Sequence, residues 1–94
     1  MLLERTELLI KEGQEAAFAA AMQAEGVATL AAVPGVTSVN IGRGVENPAK
    51  FLLLVEWKNM DAHVAYNKTP ASGAIRALIR PFSNGGSMEH FEMG

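Results

Sequence analysis

The chain contains no cysteine at all. That excludes disulfides, thiolate nucleophiles and the sulfur-ligated zinc and iron–sulfur sites in one stroke. It also fits a reducing compartment, so a cytoplasmic protein is expected. Histidine is scarce too, with two residues, His63 and His90. No His-x-x-His or Glu-x-x-His spacing joins them, so the sequence predicts no metal site and no cofactor of that kind. No cluster of lysine and arginine breaks the formal net charge of −2. Neither a nucleic acid nor an anionic membrane surface is therefore an expected partner. No apolar run approaches the ~20 residues of a membrane span. The first residues, Met1-Leu2-Leu3-Glu4-Arg5, do not read as a signal peptide.

What the chain has instead is apolar surface. Of its 94 residues 49% are hydrophobic and 19% charged, which is rich for a single small domain whose own core is modest. The richest stretch is Phe51 to Trp57. Successive strand residues point to opposite faces. Here Phe51, Leu53, Val55 and Trp57 form one apolar face, and Leu52 and Leu54 the other. A strand of that kind is covered on both sides, and so short a chain can cover only one. A second copy is the expected cover, because two-fold dimers are the commonest closed assembly.

The remaining elements follow from local chemistry. Leu2 to Ile10 reads as a first strand. Gln14 to Val33 is alanine-rich, with Phe18, Met22, Val27, Leu30 and Val33 on one approximate helical face; Gly26 is its weak point. Pro34-Gly35 turns the chain into a second strand, Val36 to Arg43. Glu46-Asn47-Pro48 is a hairpin turn before the apolar third strand. Asn59 or Asp61 caps a helix bearing His63 and Tyr66, Thr69-Pro70 interrupts it, and a second piece runs from Ala71 to Arg80. Asn84-Gly85-Gly86 reads as a turn, and Met88 to Met93 as a last strand. The order β-α-β-β-α-β is the ferredoxin-like split βαβ arrangement, an α+β fold with two helices on one face of a four-stranded antiparallel sheet.

The residues Glu56 to Tyr66 resemble the antibiotic biosynthesis monooxygenase family. So do the Pro34-Gly35-Val36 turn, the Glu46-Asn47-Pro48 hairpin before a Phe/Leu-rich strand, and Thr69-Pro70. The resemblance spans nearly the whole chain, so residues 1–94 are expected to form one such domain. It implies a dimeric α+β barrel with a pocket in each subunit between sheet and helices. Some members oxidise polyketide anthrones or quinols with molecular oxygen and neither metal nor flavin; others degrade haem. The iron-ligating histidine of haem-degrading relatives falls at Arg76 here, and their first-strand asparagine near Thr6, which argues against haem. The asparagine of the anthrone oxygenases falls at Leu53, their tyrosine at His63, and a helical arginine near Arg76. A histidine common in quinol-oxidising relatives falls at Tyr66.

These positions define the expected site. His63 is the candidate general base, since imidazole titrates near neutrality; the alternative is a partly buried histidine bonded to a carbonyl. Tyr66, one helical turn on, is the candidate orienting hydroxyl. Trp57 is either a stacking wall for a planar substrate or a packing anchor. Arg76 is a candidate partner for a phenolate or carboxylate, and Asn40 and Arg43 are candidates for a polar substrate edge or the partner subunit. His90 reads as surface or interface. The expected activity is a cofactor-independent monooxygenase acting on a small aromatic compound. The alternative is a dimer of the same fold that binds a small apolar ligand without chemistry. Convergence of His63, Tyr66 and Arg76 on one cavity favours the first reading.

Overall fold

The computed structural model describes residues 1–94. Four strands, β1 (Leu2–Ile10), β2 (Val36–Arg43), β3 (Lys50–Trp57) and β4 (Ser83–Glu92), form one antiparallel sheet in the order β2-β3-β1-β4. The helices lie between them in the chain: α1 (Glu15–Ala21) and α2 (Val27–Ala31) joined by a π-helical turn at Met22–Gly26, then α3 (Met60–Tyr66) and α4 (Pro70–Ile79), with a 3-10 turn at Arg80–Phe82. This is the ferredoxin-like α+β fold that the order of elements predicts.

Alternation decides which side chains reach the core. On β1 the even positions are buried, Leu2, Glu4, Thr6, Leu8 and Ile10, while the odd ones are partly or fully exposed. On β3 the buried phase is Phe51, Leu53, Val55 and Trp57. Phe18 on α1 packs edge-on against Phe51, with ring centroids 4.9 Å apart, and against Phe82 at 5.7 Å. The helix expected over residues 14–33 is therefore present, with its interruption at Gly26. A methyl group at Gly26 would come within 2.5 Å of Met22 Sδ, so that turn closes tightly on a methionine that is itself fully buried. Single π turns of this kind are accommodated inside otherwise α-helical segments.

Two short joints place the second helical pair. Gly35 has φ +90°, a conformation open chiefly to glycine, and any Cβ there would stand 2.5 Å from the Cβ of Ala62. The Gly35 carbonyl also accepts from Lys58 N at 2.7 Å. The first turn of α3 is thus seated directly on the turn that opens β2. Asn59 caps α3, its Oδ1 accepting from Ala62 N at 2.9 Å, and Pro70 occupies the first turn of α4, where its missing N–H costs nothing.

The last strand departs from the expectation. Asn84-Gly85-Gly86 is not a turn: β4 begins at Ser83 and runs through both glycines. Gly86 pairs with Leu8, beside a register shift between Leu8 and Ile10, and a Cβ on Gly86 would collide with the Glu7 carbonyl. The glycines permit a close approach of two backbones at an irregular ladder rather than a reversal of the chain.

Candidate active site

The cavity between sheet and helices has a volume of about 450 Å³, within the range typical of small-molecule sites. Leu8, Leu30, Leu53, Ile75, Ile79 and Met88 supply its apolar wall, and Glu4, Thr6, His63, Tyr66, Ser72 and Arg76 are among its polar groups. Three expected site residues, His63, Tyr66 and Arg76, therefore meet on one cavity. His63 and Tyr66 are both buried, on the inward face of α3. Arg76 reaches the cavity from α4 and donates to Ser72 Oγ at 2.5 Å.

The other three expected residues are placed elsewhere. Trp57 has no exposed surface and does not line the cavity. Its indole N–H is already committed, donating to Glu4 Oε1 at 3.1 Å. Trp57 is thus a buried anchor behind the site, with His63 and Tyr66 packed on its ring at centroid distances of 5.1 and 5.3 Å. Asn40 is exposed and pairs with Leu54, whose side chain belongs to the sheet face opposite the helices. Arg43 is exposed at the end of β2, donating to the Pro48 carbonyl at 2.8 Å, with its guanidinium 5.7 Å from the centre of the Phe51 ring. Neither lines the cavity.

Two residues of the site were not singled out from the sequence as site residues. Glu4 is a carboxylate only 5% exposed. Its Oε2 accepts from Thr6 Oγ1 at 2.9 Å, its Oε1 accepts from Trp57, and Oε1 also lies 3.4 Å from His63 Nε2. His90 is not simply a surface residue. It is half-buried, and its ring centroid stands 4.4 Å from that of His63. The register makes this meeting, since Glu4 and His90 are direct partners across β1 and β4. His63 Nδ1 and His90 Nε2 are both enclosed without a hydrogen-bond partner.

The electrostatics follow from burial. Desolvation holds the His63 pKa below its usual value, the Glu4 charge opposes that and His90 adds to it. The imidazole is therefore neutral at neutral pH and holds a free lone pair. Burial pushes the Tyr66 hydroxyl upward, helped by Glu4 and opposed by Ser72 and by the Arg76 charge. The phenol stays protonated and able to donate. Glu4, His63 and His90 are also the group whose donor atoms could meet around an ion, all within 4.8 Å of one another. Within that group Glu4 Oε1 and His63 Nε2 stand 3.4 Å apart, and both Glu4 oxygens also accept hydrogen bonds from Trp57 and Thr6. What the arrangement can do unaided is take a proton from a bound hydroxyl and hold the resulting anion beside a phenol and a guanidinium.

A family model described as antibiotic biosynthesis monooxygenase matches residues 1–78. The chain belongs to that family. Solved structures of like fold agree. One, a candidate antibiotic biosynthesis monooxygenase from Bordetella bronchiseptica, is 24% identical with a TM-score of 0.88, covering 99% of this chain and 96% of that one. A second, from Nitrosomonas europaea, is 16% identical with a TM-score of 0.85, covering 99% and 98%. A third is SnoaB from Streptomyces nogalater, a cofactor-independent oxygenase, 17% identical with a TM-score of 0.85 and coverage of 99% and 92%. A sequence search of curated proteins returns no significant match. At these identities the structural likeness speaks for the antibiotic biosynthesis monooxygenase fold, not for a shared substrate. No helix is long and apolar enough to cross a membrane.

Proposed function

We propose that this family member is a cofactor-independent monooxygenase acting on a small aromatic compound of the anthrone or quinol type. The observation that carries the reading is the convergence of a neutral, buried His63 with Tyr66 and Arg76 on one largely apolar cavity. An apolar wall suits a planar polycyclic ring, and the polar groups meet its oxygenated edge. His63 takes the phenolic proton as general base. Tyr66 donates to the substrate's carbonyl or hydroxyl, and Arg76 balances the phenolate charge. The electron-rich anion then reduces molecular oxygen directly. For an anthrone the methylene becomes a carbonyl, one oxygen atom entering the product and the other leaving as water. SnoaB, named as a cofactor-independent oxygenase, supports this chemistry on this fold. Trp57, Asn40 and Arg43 have no direct part in it.

The active form in this reading is a homodimer of a single domain spanning residues 1–94. The sheet face away from the helices carries Leu3, Leu9, Leu52, Leu54 and Phe91, with Leu9 and Phe91 still 41% and 42% exposed. Taking such a side chain from full exposure to full burial is worth about 1.5–3 kcal/mol; these are already partly covered, and a second sheet packed on the first gains the remaining fraction of it for each. Sedimentation of Leu54→Arg tests this: the wild type sediments as a dimer and the variant as a monomer. A wild-type monomer at micromolar concentration refutes the assembly.

The chemistry is tested by oxygen uptake with a panel of anthrones and quinols. We expect uptake in the metal-stripped wild type and a loss of about 10²–10⁴-fold in His63→Ala. Uptake unaffected by His63→Ala removes the base. Saturable binding of these compounds with no uptake at all would favour a ligand-binding dimer instead.

A further inference from the structure

Three side chains from three elements meet beside the cavity: Glu4 of β1, His63 of α3 and His90 of β4. Each presents a donor atom within 4.8 Å of those of the other two. Glu4 and His90 are cross-strand partners, so their side chains leave the sheet on the same face. His63 comes onto them from the helix layer, its ring 4.4 Å from that of His90 and its Nε2 3.4 Å from Glu4 Oε1. The set uses both imidazoles that the chain possesses. Linear spacing gives no sign of it, because strand register and helix packing make the meeting.

By itself this cluster is poorly matched. Glu4 is 5% exposed, and no lysine or arginine forms an ion pair with it. A carboxylate without a cation is costly to bury. His63 is 5% exposed as well, and its Nδ1 and the Nε2 of His90 are enclosed without a hydrogen-bond partner. Buried polar atoms left in that state are rare and call for an explanation. One divalent cation answers both points. It supplies the positive charge that Glu4 lacks, and it takes up imidazole lone pairs that no donor meets.

The donor chemistry selects the ion. Two imidazoles and a carboxylate suit zinc and its neighbours, whereas magnesium and calcium prefer oxygen donors alone. Two donors each about 2.0–2.1 Å from one zinc ion stand about 3.4 Å apart across a tetrahedral angle, and Glu4 Oε1 and His63 Nε2 are already at 3.4 Å. The His90 donor lies within 4.8 Å of both, so a change of side-chain torsion rather than of backbone closes the set. The outer support is in place too. Trp57 donates to Glu4 Oε1 and Thr6 to Oε2, which orients a carboxylate that keeps further lone pairs free. Glu4 and His63 also line the cavity, which gives an ion its way in. We propose that Glu4, His63 and His90 form a three-donor site for one divalent transition-metal ion of the zinc class. An ion there engages His63, so the loaded protein is the idle form of the oxygenase. That consequence alone rests on the reading of His63 as the base.

The test is calorimetric titration of the tag-free, metal-stripped protein with Zn²⁺, alongside ¹⁵N NMR of the histidine rings. The wild type is expected to take up one Zn²⁺ per protomer, with the resonances of both rings shifting and Mg²⁺ unable to compete. Glu4→Gln and His90→Gln are each expected to weaken binding by at least about 100-fold, and Thr6→Val, which strips a donor from the carboxylate, by about 10–100-fold. No Zn²⁺ binding in the wild type overturns the proposal. So does binding that leaves both rings unmoved, and neither result needs a variant to fold. Equal affinity in His90→Gln overturns it as well. Oxygen uptake separates this proposal from the catalytic reading. Suppression of uptake by one equivalent of Zn²⁺, reversed by a chelator, supports both. Zn²⁺ bound at the three residues with uptake intact keeps the metal site and removes His63 as the base. Uptake that depends on His63 in a protein that binds no Zn²⁺ does the reverse.

Discussion

Two acids on the same strand have opposite circumstances. Glu4 and Glu7 both sit on β1, but on opposite faces of the sheet. Glu7 is about a third exposed and pairs with Arg5 at 2.5 Å, and Arg5 reaches on to Glu89 at 3.1 Å. Such surface pairs gain little, because water and salt screen the attraction and ordering the side chains offsets the rest. Glu4 has neutral partners instead, an indole N–H and a hydroxyl, and an imidazole within reach. The well-paired acid gains little stability from its pairing; the acid without a permanent cation is the one that lines the cavity. A formal ion pair is thus a poor guide to importance, and burial with directed neutral donors is a better one.

The contrast can be broken from several sides. Trp57→Ala should have the largest effect. It removes a fully buried ring that supports His63 and Tyr66, and strips a donor from Glu4; a loss of about 3–5 kcal/mol is expected in urea unfolding. Thr6→Val keeps the shape but leaves a Glu4 oxygen short of its donor, for a loss of about 1–3 kcal/mol by the same measurement. A smaller, pH-dependent effect comes from His63. Its folded pKa lies below the unfolded value, so below about pH 6.5 the unfolded chain binds more protons. Stability should fall as pH drops through that window, down to the folded pKa, and the slope should flatten in His63→Gln. Urea midpoints at a series of pH values check it. Arg5→Ala should do least, costing under about 1 kcal/mol, with the difference shrinking further in high salt. A loss in Arg5→Ala equal to that in Thr6→Val would erase the distinction between the two faces.

Much of the fold was legible in the residues. The bounds Leu2–Ile10 and Val36–Arg43 follow from apolar phase and from the turns beside them, and the doubly apolar Phe51–Trp57 run lies at the centre of the sheet between β2 and β1. The end of the chain was less legible. Asn84-Gly85-Gly86 has the composition of a turn, and only the close passage of the Glu7 carbonyl gives its glycines another purpose. Within the site, His63, Tyr66 and Arg76 could be found because two lie a helical turn apart and the third sits on the following helix. Glu4 could not be found the same way. Both phases of β1 mix apolar and polar residues, Leu2-Glu4-Thr6-Leu8 against Leu3-Arg5-Glu7-Leu9, so alternation alone did not say which acid was inside. The faint signal was Ile10, which tips the even phase toward the core. His90 stands far from His63 in the chain, and the two are joined through the pairing of β4 with Glu4, a register that no local pattern encodes. Trp57 reads from the sequence as either a stacking wall or a packing anchor, because the sequence does not show that its N–H has a partner inside the protein.

The seating of Ala62 on Gly35 has a bearing on how this scaffold could diversify. With glycine there, helix and turn touch almost backbone to side chain, and the next residue along the helix is His63. A bulkier residue at either contact would act as a shim, lifting the helix and drawing the imidazole away from β1. The depth of the reactive ring is therefore adjustable from a bend outside the cavity wall, and relatives could retune their chemistry there without altering a single group that meets the substrate.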